Sequence, residues 1–114
     1  MLNNEADPLD RTFAALADPA RRAMVERLTQ GPATVSELAA PLPMSLAGAM
    51  LHLKVLEEAG LVTSEKVGRV RTCRIEPQMF SLAERWVAER RSGWERNLDR
   101  LEAFLDAAGP DGEA

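Results

Sequence analysis

The 114-residue sequence holds one cysteine, Cys73, and one histidine, His52. A single cysteine excludes an internal disulfide framework. A single histidine cannot by itself build a metal centre, which takes several His, Cys or carboxylate ligands. No run approaches twenty apolar residues, so no transmembrane helix is expected. The opening MLNNEADPLDR lacks the basic start and apolar run of a secretory signal. There is no glycine-rich phosphate loop and no HExxH, and a catalytic triad would have to use His52. We therefore expect no catalytic residues, no cofactor and no enzyme activity. Excess positive charge is missing too. The net charge is −4 and the pI about 5.0, which argues against indiscriminate nucleic-acid binding. Together these absences point to a cytoplasmic protein.

The charge is unevenly distributed. Acidic residues gather at the ends, at Glu5, Asp7 and Asp10, and again at Asp99, Glu102, Asp106, Asp111 and Glu113. Between Ser45 and Ile75 the balance reverses: Lys54, Lys66, Arg69, Arg71 and Arg74 stand against Glu57, Glu58 and Glu65. Hydrophobic content of 46% with 28% charged residues is that of a folded soluble domain. At this length one domain, residues 1–114, is expected.

The pattern predicts mainly helix with a small β-hairpin. A first helix runs from Pro8 to Ala17 with Leu9, Phe13 and Leu16 as its apolar stripe. Asp18-Pro19 then caps and opens a second, to about Gln30, with Ala23, Met24, Arg27 and Leu28 on one side. Thr34 and Glu37 form a capping-box pattern for a short third helix through Ala40, whose Val35, Leu38 and Ala39 point inward. Pro41-Leu42-Pro43 separates it from a fourth, capped by Ser45 and stopped at Gly60. In this helix Leu46, Ala49, Leu53 and Leu56 share the inward face, and Ala47, Met50, Leu51, His52, Lys54 and Val55 the opposite one. A short helix, a turn and a second helix make a helix-turn-helix geometry. The period then changes to that of two strands, 61–66 and 69–75, with Val67-Gly68 as the turn and Val70 and Thr72 alternating with arginines. Pro77 opens a long last helix to about Ala108. Its apolar stripe is Met79, Ala83, Trp86, Val87, Trp94, Leu98, Leu101 and Leu105. Gly109-Pro110 stops it, leaving a disordered acidic tail over 109–114. Trp86 and Trp94 lie two turns apart on one side, and with Leu98 and Leu101 they oversupply apolar surface for a monomer. A dimer seam is the reading, with Leu9, Phe13 and Leu16 contributing from the first helix; a ligand pocket is the sharper alternative.

LDRTFAALADPARRAMVERL at 9–28, then GPATVSELA, then SLAGAMLHLKVLEEAGLV with its hairpin, resembles the ArsR-type winged helix-turn-helix repressors. The likeness covers roughly residues 9–105. Its most specific parts are ALADPARR and the run from His52 to Val62. The closing RWVAERRSGWERNLDRLEAFL resembles the last helix of the subgroup without a metal site. The resemblance implies a dimeric winged helix-turn-helix over 8–108, with the first and last helices at the dimer interface. It implies that the chain represses transcription by binding an operator in double-stranded DNA. The helix at 45–59 would enter the major groove, and the hairpin would be the wing. DNA contacts are then expected from Thr34 and Ser36 at the third helix, from Ser45, Ala47, Gly48, Met50, Leu51, His52 and Lys54 on the fourth, and from Lys66, Arg69 and Arg71 on the wing. Metal-sensing members carry cysteine pairs on the third helix or His and carboxylate ligands on the last. VSELAAPL has no cysteine and the last helix no histidine, so no metal is expected. Cys73 reads as a small packed residue, with a redox sensor as the alternative.

One departure bears on function. The family usually has a polar residue where Met50 stands and a lysine or arginine where Leu51 stands. Groove specificity usually comes from bidentate Arg, Lys, Asn or Gln contacts. This face offers Ser45, His52 and Lys54 among apolar side chains that could only touch thymine methyls. Two functions therefore stay open: a homodimeric DNA-binding repressor, and a protein-interaction module on the same dimeric scaffold with weakened DNA binding.

Overall fold

The computed structural model describes the backbone of residues 7–113 and the side chains of residues 7–108. Along the described residues the order is α1 (Pro8–Leu16), α2 (Pro19–Leu28), β1 (Ala33–Thr34), α3 (Val35–Ala39), α4 (Leu46–Glu58), β2 (Val62–Val67), β3 (Val70–Ile75) and α5 (Pro77–Glu113). One compact unit runs to Ala83. The other, from Glu84, is the remainder of α5.

Helix starts follow from local chemistry. α1 and α2 open on the same Asp-Pro pair. Asp7 Oδ1 accepts from Leu9 N at 2.8 Å, and Asp18 Oδ1 accepts from Ala20 N at 2.8 Å and Arg21 N at 3.1 Å. In each, the proline occupies a position whose N–H would have had no helical partner. Those hydrogen bonds hold the Asp18 carboxyl below its ordinary range, the one from the Arg21 backbone foremost. α3 has a complete capping box: Glu37 N donates to Thr34 Oγ1 at 3.1 Å, and Thr34 N donates to Glu37 Oε1 at 2.8 Å. The bond from Thr34 N likewise lowers the Glu37 carboxyl. α4 ends in a Schellman turn. Gly60 takes φ +78°, Gly60 N donates to Glu57 O at 2.9 Å and Leu61 N to Leu56 O at 3.0 Å.

The three strands pair antiparallel in the order β1-β3-β2, with Val62 opposite Ile75 and Val67 opposite Val70. That register puts Gly68-Arg69 in the turn, one residue beyond the Val67-Gly68 expected. Gly68 has φ +64° and Arg69 does not, as a II′ turn requires. β1 was not anticipated. It pairs Ala33 with Cys73 and Thr34 with Thr72. The hairpin turns Cys73, read as a small packed residue and fully buried here, to the core and leaves Val70 exposed.

The core of the first unit gathers Met24, Leu28, Leu38, Leu53, Leu56, Leu61 and Val62, with Met79 and Phe80 from the start of α5 packed against it. Several inward assignments differ from the periodicity. α1 buries Thr12 and Ala15 and leaves Phe13 exposed. Thr12 can be buried because its hydroxyl donates to Pro8 O at 2.9 Å. α2 buries Val25 in place of Ala23. Leu46, at the first turn of α4, is 54% exposed rather than inward, because it borders an open cleft between α3, α4 and the hairpin instead of entering the core. α5 is helical through Gly109-Pro110 to Glu113, where the sequence placed its end near Ala108. A proline removes one backbone bond and crowds the turn before it, but it does not by itself force a stop. The acidic tail's side chains lie outside the described residues.

Candidate nucleic-acid interface

α3 and α4 are joined by a short turn, and Ser45 Oγ caps α4 by accepting from Gly48 N at 3.0 Å. α4 buries Ala49, Leu53 and Leu56. Its exposed side carries Ala47, Met50, Leu51 and Lys54, with relative exposures of 42% at Met50 and 68% at Leu51. The steps between these four positions are three, one and three residues, so they make one stripe along the helix. Gly48 is half-buried against Ser45 and Met44 and offers no side chain.

His52 belongs to a different surface. Its Nδ1 lies 3.1 Å from Arg21 Nη1, and it is half-buried. Arg21 in turn donates from Nε to Ala15 O at 2.7 Å and from Nη2 to Ala14 O at 3.3 Å. One guanidinium thus closes the C-terminal end of α1 and ties it to α4. No local pattern could have signalled this, since the partners are 31 residues apart.

Next to the stripe lies an open cleft of about 320 Å³. Its walls are Thr34, Val35 and Ser36 at the start of α3, Leu46 and Met50 on α4, and Lys66, Arg69, Val70 and Arg71 on the hairpin. The structure therefore brings most of the expected site residues onto one surface: Thr34, Ser36, Met50, Lys66, Arg69 and Arg71 around the cleft, Ala47, Leu51 and Lys54 beside it. The three cations are not equivalent. Lys66 and Arg69 are exposed. Arg71 is half-buried, and its Nη1 donates to Ser64 Oγ at 2.8 Å. Ser64 Oγ passes its own proton toward Glu57 Oε2 of α4. Arg71, Ser64 and Glu57 form a chain that fastens the hairpin to the helix; Ser64 and Glu57 were not singled out from the sequence. Arg74, on the outer face, is 3.4 Å from Glu65. Cys73 is buried behind the chain, and burial, followed by the nearby Glu57 carboxylate, pushes its thiol up, away from the reactive thiolate.

The second unit is a single helix with a long apolar face. Trp94, Leu98, Leu101, Phe104 and Leu105 are all exposed. Trp86 is 39% exposed, with the Arg90 guanidinium 4.5 Å over its ring. In the first unit Leu9 and Leu16 are half-buried and Phe13 is exposed. Among the described residues no group of three or more His, Cys, Asp or Glu is placed to hold a metal ion. No described helix is long and apolar enough to cross a membrane.

A helix-turn-helix whose second helix shows a free stripe beside a basic two-stranded wing defines the winged helix-turn-helix class of DNA-binding domain. Comparison with known proteins gives the family. A "Helix-turn-helix domain" family model matches residues 16–65. The chain is 41% identical over 102 residues to the HTH-type transcriptional regulator Rv2034 of Mycobacterium tuberculosis, covering 90% of this chain and 92% of that one. It is similar to the crystal structure of the ArsR family transcriptional regulator RHA00566, at 51% identity and a TM-score of 0.75, over 77% of this chain and 91% of that one. It is also similar to the solution structure of the homodimeric winged helix-turn-helix DNA-binding domain Mb0332 from Mycobacterium bovis, at 26% identity and a TM-score of 0.58, over 82% of this chain and 84% of that one. The chain belongs to the ArsR family of winged helix-turn-helix transcriptional regulators.

Proposed function

We propose that this regulator is a homodimeric repressor that docks α4 in the major groove of an operator and lays the β2–β3 hairpin along the backbone. The observation that carries the reading is the shared surface: the α4 stripe, the start of α3 and the exposed Lys66 and Arg69 all border one cleft. Thr34 and Ser36 lie at the N-terminal end of α3, where a phosphate oxygen would meet the helix start. Dimerisation would bury the apolar face of α5, which one copy alone leaves in water, and it would set two α4 helices about one DNA turn (roughly 34 Å) apart. The reading places the protein in the cytoplasm with its operator and requires no metal or cofactor.

The test is binding of the purified full chain to duplexes selected from a random pool, at several salt concentrations. Lys54, Lys66 and Arg69 from both copies would neutralise phosphates, so log K should fall with log salt with a slope of about −5. Affinity without salt dependence would refute the reading. The second reading, a protein-interaction module, draws on the exposure of Met50 and Leu51; it predicts no enrichment of any duplex.

A further inference from the structure

We infer that α4 reads thymine, through C5-methyl groups packed against Ala47, Met50 and Leu51, so that each operator half-site carries A·T pairs at its centre. The inference rests on the DNA-binding reading and deepens it. Its basis is a subtraction made by the structure. Of the polar side chains on or next to the exposed side of α4, His52 is engaged by Arg21 at 3.1 Å, and Ser45, the N-cap, stands before the first turn and off the stripe. What remains along the groove-facing stripe is Ala47, Met50 and Leu51, followed by Lys54 one turn on.

Apolar side chains can still read sequence. The major-groove edge of a base pair is a row of hydrogen-bond donors and acceptors, with one apolar feature, the methyl of thymine. Leu51, at 68% exposure, and Met50, at 42%, have enough free surface to cover such methyls. Against G·C pairs the same side chains would strip water from the guanine O6 and N7 and the cytosine amino group while returning no hydrogen bond. Discrimination then has two parts, attraction to thymine and a penalty against G·C. The surroundings favour a duplex over a protein as the occupant: Lys54 continues the stripe, and Lys66 and Arg69 flank the adjoining cleft. An apolar strip between cations matches a groove with methyls inside and phosphates along its edges.

The experiment uses the full chain and a duplex enriched from a random pool, resynthesised with deoxyuridine in place of individual thymines. Uracil pairs as thymine does and lacks only the methyl. At one or two positions per half-site the substitution should weaken binding about fourfold, and about fifteenfold when made in both half-sites of a symmetric operator, from the usual value of a buried methyl group. The salt slope should not change. In Leu51→Ala, whose side chain is outside the core, sensitivity to uracil at one of those positions should vanish while the salt slope holds. Equal affinity for the thymine and uracil duplexes, or enrichment of G·C at the half-site centres, overturns the inference and leaves the repressor reading standing. Absence of salt-dependent binding to every duplex overturns both and makes a protein the occupant of the stripe.

Discussion

The two wing arginines offer a sharp contrast. Arg69 sits in the turn and is exposed; Arg71 is half-buried and donates to Ser64, which is joined to Glu57 on α4. In Arg69→Ala nothing within the fold is lost, so stability should stay within about 0.5 kcal/mol of the parent. The DNA complex should lose one phosphate contact per copy, and the salt slope should become shallower by about 1.8 for the dimer. Arg71→Ala should do the reverse. A hydrogen bond from a charged donor contributes ~1.5–3 kcal/mol when well shielded. Half-exposure discounts that, so we expect a loss of about 1–2 kcal/mol. The salt slope should barely move, because this guanidinium is already committed within the protein. DNA affinity should still fall, uniformly across sequences, as the hairpin loosens from α4. Urea unfolding at one fixed protein concentration gives the stability change, and binding isotherms at four or more salt concentrations give the slope. An Arg71→Ala protein of unchanged stability whose slope drops as that of Arg69→Ala does would refute the assignment and return Arg71 to the phosphates.

Other expectations follow from the same structure. Gly60→Ala should destabilise by about 2–3 kcal/mol, since a non-glycine residue pays 1–2 for a left-handed conformation and a Cβ there would stand 3.1 Å from Met79 Cγ and Cε. Gly48→Ala, with Ser45 Oγ at 3.4 Å and Met44 Cβ at 3.7 Å, should be neutral or stabilising by about 0.5–1 kcal/mol; denaturant midpoints of the pair decide it. Trp94→Ala should weaken the dimer by roughly 3 kcal/mol, as large buried aromatics do, which sedimentation equilibrium would register; a parent protein that is monomeric at micromolar concentration would refute the seam. Asp18 and Glu37 have lowered carboxyl pKa values, so their capping contribution is complete above the unfolded carboxylate range and is lost as pH falls through their folded values. Asp18→Asn keeps a neutral acceptor and should flatten the stability loss below about pH 4, seen by circular dichroism across an acid titration.

Much of the fold was legible because its signals are local. The Asp18-Pro19 opening, the Thr34–Glu37 box, Ser45 and Gly60 each act within four residues, and all stand where they were read; the matching Asp7 cap of α1 was not singled out. The hairpin was visible for the same reason, but its facing was not. Val70 and Cys73 are both plausible inward residues on period alone, and pairing with β1 at Ala33 decides between them. β1 has two residues, too few to show a period. The candidate site was legible as a set of positions and less so as a set of roles. His52 and Arg71 lie within the expected segments, yet the partners that engage them, Arg21 and Ser64, lie elsewhere in the chain. Leu46 shows the opposite failure: helical spacing put it inward, but burial depends on what covers the first turn, which spacing does not contain.

Thr34 is at once the last residue of β1, paired with Thr72, and the cap of α3. A hinge needs a stretch of backbone with dihedrals to spare, and between this sheet and this helix there is none. At the far side, Glu76 N donates to Leu61 O at 2.8 Å and closes the base of the hairpin. Mechanically, the wing and the start of α3 are two ends of one lever. A displacement of β3 at Thr72 is handed directly to the residues that would sit on the phosphates, with no slack to absorb it. In the repressor reading, wing and helix-turn-helix would meet DNA as one template joined through Thr34 and Thr72, and accommodation between the two molecules would fall to the duplex and to the glycine at the wing's tip.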